Sequence, residues 1–219
     1  ITPIKPGYEF SPGSRTITVP GETDGQDFTG TKSYCALEDI PIFYQGHPSS
    51  RDIYPEWWND TYGHPNNQNE AGNTMGRWGC NTTSHAMLVD YLADKNNVEF
   101  TTNPKLLNDY LRANSGYSTL DYLDYNSITK YMEANLSIHY NSIQKATPSN
   151  EQIYTELCQN NPVVLRVPTT NGTHFVLAVG KSKVDGVETF NLHDPIFGDT
   201  TLLEHWGTFT KAIYYHTDS

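Results

Sequence analysis

The sequence is poor in positive charge and in long hydrophobic runs. It has 14 Lys and Arg residues against 25 Asp and Glu residues, which gives a formal net charge of −11 at pH 7. Binding to nucleic-acid phosphates needs a basic face, so this balance argues against a nucleic-acid partner. No stretch approaches the ~20 apolar residues of a transmembrane helix, and no basic segment followed by an apolar one opens the chain. We therefore expect no membrane span.

Cysteine is scarce as well. The chain has three, Cys35, Cys80 and Cys158, which are too few for a disulfide framework, although one bridge would leave one free thiol of particular interest. The sequence contains no C-x-x-C, H-x-x-x-H or H-E-x-x-H pattern. A metal site therefore has little support, and we expect no cofactor.

Aromatic side chains are abundant, with 15 Tyr, 8 Phe and 4 Trp among 219 residues. This content excludes disorder as the global state, and the length is enough for one domain with a real core. Proline and glycine recur throughout residues 1–35, which we interpret as an extended N-terminal arm or linker, with residues 16–19 as a candidate edge strand. Residues 36–219 are then one domain, in which the aromatic residues of the irregular segment 40–78 favour an ordered loop.

Helical signals precede strand signals within that domain. A helix is predicted to begin at Cys80, and capping residues predict further helices at 103–113, 126–134 and 150–159. Runs of β-branched and aromatic residues predict strands at 163–167, 174–179, 187–192 and 212–215. Helices followed by strands predict an α+β fold, in which a helical half packs on an antiparallel sheet.

Cys80 is the candidate nucleophile because it lies where the first long helix should begin. Backbone N–H groups at a helix N-terminus carry partial positive charge and stabilise a thiolate. The preceding Gly79 allows close approach of the backbone and leaves the sulfur open to a carbonyl group. The alternative is a buried cysteine that packs as a small hydrophobe, although its Gly, Asn and Thr neighbours are not apolar.

A thiolate nucleophile needs a base, and the base needs an orienting partner. His174 opens the most apolar of the predicted strands, and Asp194 ends the next one. The two strands are joined by a predicted turn at 184–186, so a hairpin would place the Asp194 carboxylate across from the His174 ring and fix its tautomer. The alternative for Asp194 is an ordinary turn residue before proline.

Four segments together, residues 79–87, 161–164, 174–180 and 191–195, resemble the C39-like cysteine peptidases, over roughly residues 38–216. The resemblance implies a papain-like fold that hydrolyses peptide or amide bonds through a Cys-His-Asp triad. Members that cut after Gly-Gly leaders in bacteriocin exporters carry an acidic residue and a Cys-Gly pair at the nucleophile. Here Gly79-Cys80-Asn81 stands instead, so we do not expect that specialised role.

The family also has a glutamine before the cysteine whose side-chain amide completes the oxyanion hole. Residues 40–45 resemble the family's short strand that ends in this glutamine, so the resemblance implies Gln45. Gln68 is closer to Cys80 along the chain, but it has no apolar neighbours to anchor it. The choice of Gln45 implies an insertion at about 46–76.

The leading hypothesis is therefore a cysteine peptidase acting on peptides or proteins, and we expect a monomer. One alternative is a cell-wall lytic enzyme that uses the same residues on peptidoglycan. Another is a catalytically silent binding module with a papain-like fold. Glycosylation sequons at Asn81 and Asn171 lie beside the proposed nucleophile and base, where a glycan would block the site. This favours bacterial or phage origin. The low Lys content, the abundant Asn, Thr and Tyr, and the arm rich in Pro and Gly predict an extracellular, cell-envelope or virion-associated location.

Overall fold

The structure is a computed structural model that describes residues 8–11, 29–32, 35–46, 53–67, 72–170, 172–184 and 186–217. Its helices are α1 (Met75–Trp78), α2 (Cys80–Lys95), α3 (Pro104–Ala113), α4 (Tyr125–Leu136), α5 (Asn150–Cys158) and α6 (Leu202–His205). Its strands are β1 (Tyr8–Ser11), β2 (Thr29–Lys32), β3 (Tyr140–Ala146), β4 (Val163–Thr169), β5 (Gly172–Val184), β6 (Val187–Asp194), β7 (Gly198–Thr201) and β8 (Lys211–Thr217). None of the helices in these ranges is long and apolar enough to cross a membrane.

Local capping explains where the predicted helices begin. The Asn103 side chain accepts a hydrogen bond from Leu106 N at 2.9 Å, and Pro104 occupies the first position of α3. At α5, Ser149 and Gln152 form the reciprocal capping box that the sequence predicted. The four predicted helices are confirmed, with bounds that differ from the prediction by at most two residues for α3, α4 and α5.

A six-stranded antiparallel sheet has the strand order β3-β8-β4-β5-β6-β7. The four predicted strands are confirmed as β4, β5, β6 and β8. The two edge strands, β3 and β7, are additions to the prediction, because their mostly polar residues carry no apolar alternation and only pairing with β8 and β6 defines them.

The sheet is covered on both faces. Val164, Leu177 and Ile213 point to one face and pack in one core with residues of α2, α3 and α4. Their neighbours along the strands point to the other face and pack with α5 and α6. The predicted α+β fold with a helical half on an antiparallel sheet is therefore confirmed, and a second helical layer covers the back of the sheet.

The arm contains a small structure of its own. β1 and β2 pair in antiparallel register, from Tyr8 opposite Lys32 to Ser11 opposite Thr29. The candidate strand at 16–19 lies outside the described residues. A disulfide joins Cys35, where the arm ends, to Cys158 at the end of α5, and Cys80 is the free cysteine. The division into an arm of 1–35 and a domain of 36–219 stays a prediction.

Candidate active site

Cys80 is the first residue of α2, directly after the short helix α1. The two helices meet at Gly79, which is the N-cap residue of α2. A Cβ atom at Gly79 would lie 2.5 Å from the carbonyl oxygen of Met75, so this tight junction requires glycine. The Cys80 thiol is free and half-buried, and its contact with Trp78 O is long at 4.0 Å. The sulfur therefore lies at a helix N-terminus and is accessible.

His174 and Asp194 lie on adjacent strands, as the predicted hairpin requires. β5 and β6 pair with Leu177 opposite His193, which brings the start of β5 beside the end of β6. His174 Nε2 lies 2.9 Å from Asp194 Oδ1, and both side chains are buried. Because the carboxylate only accepts hydrogen bonds, Nε2 is the protonated nitrogen and Nδ1 is left to face Cys80.

The Asp194 carboxylate is held by four hydrogen-bond donors. Oδ1 accepts from His174 Nε2, from Ile196 N at 2.7 Å and from Phe197 N at 3.3 Å, while Oδ2 accepts from Trp206 Nε1 at 2.8 Å. Burial by itself raises the pKa of Asp194, but the hydrogen bond and charge of His174 and these other donors lower it below its ordinary value. The group therefore stays ionised although it has no solvent exposure.

The His174 imidazole is coupled to the Cys80 thiol. Burial lowers the pKa of His174, but the charge of Cys80, the hydrogen bonds that His174 makes with Asp194 and Cys80, and the charge of Asp194 together raise it to about 10. A protonated imidazole between a thiolate and a carboxylate is the arrangement that activates a cysteine nucleophile.

Gln45 is held by two hydrogen bonds, one to the segment after Asp194 and one to the helix before Cys80. Its backbone N–H donates to Pro195 O at 2.9 Å, directly after Asp194, and its Nε2 donates to Gly76 O at 2.9 Å, in α1 before Cys80. The side chain is buried, and Oε1 has no hydrogen-bond partner among the residues that the structure describes. An amide nitrogen has two N–H groups, so the bond to Gly76 leaves one for another acceptor.

The segment before Gln45 differs from the expectation. Residues 40–45 do not form the predicted short strand, since Pro41 lacks an N–H and Gln45 makes a single backbone bond instead of a ladder. Ile42 is 36% exposed, whereas Phe43 packs edge-on against Trp57. Gln68 lies outside the described residues.

Two further histidines near these elements, His85 and His193, make structural contacts. His85 is fully buried, its Nδ1 bonds to Asn81 O at 2.8 Å, and burial lowers its pKa to about 4 despite that bond. His193 contacts Pro41 O at 3.2 Å and does not face His174. The Asn81 side chain is buried, so this sequon does not accept a glycan in the folded protein, and Asn171 lies outside the described residues. In the described ranges, no three His, Cys, Asp or Glu side chains converge as metal ligands.

Trp206 is a site residue that sequence reasoning missed. Besides its hydrogen bond to Asp194, its ring lies 5.0 Å from the His174 ring and covers the His–Asp pair. No motif marks it, because it follows the short helix α6 and reaches the site only through the tertiary fold. The adjacent tryptophans Trp57 and Trp58 differ in environment. Trp57 packs inward and its Nε1 donates to Tyr44 O, whereas Trp58 is partly exposed beside Tyr54.

Comparison with known proteins gives the family. Among solved structures, one assigned to a C39-like peptidase from Bacillus anthracis is similar over 84% of this chain and 98% of its own, at 17% identity and a TM-score of 0.47. The peptidase domain of Streptococcus ComA, a bi-functional ABC transporter involved in a quorum-sensing pathway, is similar over 63% of this chain and 93% of its own, at 11% identity and a TM-score of 0.38. No curated protein matches. The Peptidase_C39 like family matches residues 55–217, which include Cys80, His174 and Asp194 but not Gln45, and the chain therefore belongs to that family.

Proposed function

We propose that the chain is a cysteine peptidase that hydrolyses peptide or amide bonds, with Cys80 as nucleophile, His174 as acid and base, and Asp194 as the group that orients His174. The observation that carries the proposal is the buried His174 Nε2–Asp194 Oδ1 bond, whose histidine also interacts with a free thiol at the start of a helix. Membership of a peptidase family supports the same reaction type.

In the proposed mechanism, the Cys80 thiolate attacks the substrate carbonyl carbon and the carbonyl oxygen becomes an oxyanion. The backbone N–H of Cys80 and the second N–H of Gln45 Nε2 would donate to that oxygen. The bond from Nε2 to Gly76 O holds the amide plane next to α1, which supports this assignment of Gln45.

His174 then transfers its Nδ1 proton to the leaving amine, and the C–N bond breaks to leave an acyl-enzyme on Cys80. Neutral His174 takes a proton from water, which attacks the thioester and releases the acid product and the thiolate. Asp194 keeps Nε2 protonated throughout, so that Nδ1 is the nitrogen that exchanges protons. Trp206 covers the Nε2–Oδ1 bond and keeps water from competing for it.

The first test is selective alkylation followed by digestion. Iodoacetamide should modify only Cys80, because Cys35 and Cys158 share a disulfide and offer no free thiol. Since Cys80 is the proposed nucleophile, this modification should inactivate the protein. Wild type and Cys80→Ser are then incubated with a peptide library, and the products are analysed by mass spectrometry. Cleavage by wild type alone supports the proposal. Absence of cleavage by a folded wild-type protein with a reactive Cys80 would favour a silent binding module.

A second candidate substrate is peptidoglycan, whose stem peptides the same residues would cut. An exposed aromatic side chain next to the nucleophile favours it, since Trp78 is 51% exposed and precedes Gly79-Cys80, and such a ring can stack on a sugar. A digest of purified peptidoglycan, run beside the peptide library with the same Cys80→Ser control, separates the two substrates by the masses released.

We also propose an extracellular, cell-envelope or virion-associated location. The Cys35–Cys158 disulfide supports it, because such bonds persist in oxidising compartments. Thiol trapping with a maleimide at harvest from the native source tests this. Two trapped thiols at Cys35 and Cys158 would argue for a reducing compartment.

A further inference from the structure

Two basic side chains lie opposite each other on the face of the sheet that carries α2 and α4. Arg166 of β4 and Lys211 of β8 are register partners, so their side chains point to the same face. This is the face of Val164 and Ile213, which pack in the core shared with those helices. Lys211 Nζ lies 5.1 Å from the centre of the Tyr125 ring at the start of α4, in agreement with that direction.

Tyr125 contacts both Lys211 of this basic pair and Asn81, the residue after the nucleophile. Its hydroxyl accepts a hydrogen bond at 3.3 Å from Nδ2 of Asn81, the residue after Cys80 on α2. Burial is the main cause that raises the pKa of Tyr125, the hydrogen bond from Asn81 and the charge of Arg166 lower it, and the charge of Cys80 raises it. Cys80 and Arg166 therefore both lie within electrostatic reach of one hydroxyl oxygen.

Neither cation has a carboxylate partner in the part of the chain that the structure describes. Arg166 Nε donates to Thr210 Oγ1 at 3.0 Å, and Lys211 Nζ donates to Gln144 Oε1, which is a neutral acceptor. The acidic residue next to Tyr125, Asp124, is used as the N-cap of α4. Two neighbouring cations without a carboxylate partner in the described ranges are unusual in a chain that carries 25 acidic residues.

Like charges placed directly opposite each other destabilise an antiparallel strand pair. Burial and the charge of Arg166 lower the pKa of Lys211, so the pair is under electrostatic stress in the free protein. Both side chains are half-buried and retain access to solvent. A carboxylate would relieve the repulsion, and the guanidinium fork of Arg166 can bind it with two hydrogen bonds.

We propose that Arg166 and Lys211 form an anion-binding subsite, linked to the Cys80 end of α2 through Tyr125 and Asn81, that selects substrates with an acidic side chain at one position near the scissile bond. This inference rests on the proposed peptidase function. The subsite would raise kcat/KM for substrates with Asp or Glu at that position and disfavour those with Lys or Arg there.

The first test uses Cys80 as a probe and needs no substrate. Rate constants for alkylation by anionic iodoacetate and by neutral iodoacetamide are compared, because their ratio cancels changes in the thiolate fraction. Replacing Arg166 or Lys211 by Gln should lower the iodoacetate-to-iodoacetamide ratio by on the order of two- to tenfold, and the double variant by more. In wild type, 1 M salt should lower the ratio towards that of the double variant.

Lys145→Gln is the matched control. Lys145 lies on β3 opposite Ala212, so it is close to Lys211 along the sheet but points to the opposite face. The Lys145→Gln substitution removes one positive charge, as the test variants do, and should leave the iodoacetate-to-iodoacetamide ratio unchanged. Equal ratios in wild type and the Arg166→Gln/Lys211→Gln double variant, or a wild-type ratio that does not respond to salt, would overturn the subsite.

The second test compares peptide pairs that differ only by Glu or Gln at each position near the bond cleaved in the library. Wild type should prefer Glu at one position by roughly tenfold in kcat/KM, and Lys211→Glu should reverse the preference in favour of Lys. A preference for a free terminal carboxylate instead would contradict the side-chain assignment. If the alkylation ratio depends on both cations but no peptide is cleaved, the subsite stands and the proposed function fails. Cleavage with a Glu preference that persists in the double variant contradicts the subsite alone.

Discussion

The nucleophile side and the base side of the candidate site are built in opposite ways. The Cys80 thiol is half-buried, and its backbone contact at Trp78 O is 4.0 Å long. Asp194, in contrast, has no exposed surface and accepts four hydrogen bonds. A nucleophile must leave its resting contacts to form a bond, whereas an orienting group must hold one direction throughout. Weak bonding on one side and saturated bonding on the other suit these two tasks.

The contrast predicts that substitutions on the nucleophile side affect mainly activity, and that substitutions on the base side lower both activity and stability. Gln45 is the intermediate case, because its two hydrogen bonds link Pro195 on the base side to Gly76 on the nucleophile side. The following predictions test this contrast.

Cys80→Ser should have the largest effect on activity. Loss of the thiolate should lower kcat by roughly 10⁴- to 10⁶-fold, since the remaining groups provide only residual catalysis. The free energy of unfolding should fall less than in Asp194→Asn, because the Cys80 side chain is half-buried and its replacement removes the interaction with His174 without leaving a buried donor facing another donor. Turnover of a library-derived peptide and urea unfolding measure the two effects. A large loss of stability would contradict the contrast.

Asp194→Asn should lower kcat on the order of 10³- to 10⁴-fold, because an amide stabilises the wrong tautomer of His174. It should also lower the free energy of unfolding by about 3 kcal/mol, since the amide NH₂ would face a donor, Trp206 Nε1 or the N–H groups of Ile196 and Phe197. The same two measurements apply, with Asp199→Asn on β7 as an exposed control. Unchanged stability would mean that the buried carboxylate is not held as the structure indicates.

Gln45→Ala should lower kcat by about a hundredfold and leave the rate of Cys80 alkylation nearly unchanged. Its stability should fall by about 1–2 kcal/mol through the lost bond to Gly76 O and the buried space left behind. Gln68→Ala is the comparison variant. If Gln68→Ala shows the loss of kcat and Gln45→Ala does not, the oxyanion assignment is wrong.

The pH dependence should reflect the coupling of the two sides through His174, whose pKa is raised to about 10 although burial lowers it. Protonated His174 should persist through neutral pH, so activity should fall about tenfold per pH unit above pH 10. The folded pKa lies above the ordinary value of 6.5, so the stability contributed by this group is complete below about pH 6.5 and is lost as pH rises to about 10.

The control for this pH prediction is Cys80→Ser, which removes the negative charge that raises the pKa of His174. Its loss of stability should therefore occur at lower pH than in wild type. Melting temperatures from pH 6 to pH 11 measure this, and superimposable curves for the two proteins would show that the thiolate does not act on His174.

Trp206→Phe should have the smallest effect, a loss of kcat of about five- to tenfold. Phenylalanine keeps a ring over His174 but removes the hydrogen bond from Nε1 to Asp194 Oδ2, which still leaves the Oδ1 bonds in place. Trp206→Ala uncovers the His–Asp bond and should lose more. Equal kcat for these two variants would mean that the ring has no shielding role.

The sequence by itself predicted the four longer helices, four strands of the six-stranded sheet and the candidate residues of the site. Helix caps such as Asn103 and Ser149 act within one turn, and apolar strands such as β4 and β5 are continuous runs, so both leave local signals. Because one hairpin joins the strands of His174 and Asp194, their proximity also followed from a short-range connection. The catalytic roles of these residues and of Cys80 stay predictions until the variants are measured.

Only the tertiary structure decided which distant residues meet. Trp206 reaches Asp194, Cys35 pairs with Cys158, and Arg166 lies opposite Lys211 through contacts that no local pattern encodes. The predicted strand at 40–45 was wrong for the same reason, since Gln45 is held by its backbone bond to Pro195 O and its side-chain bond to Gly76 O, and the segment forms no ladder. Caps and periodicity act over a few residues, whereas these contacts arise only when the whole sheet and both helical layers are packed.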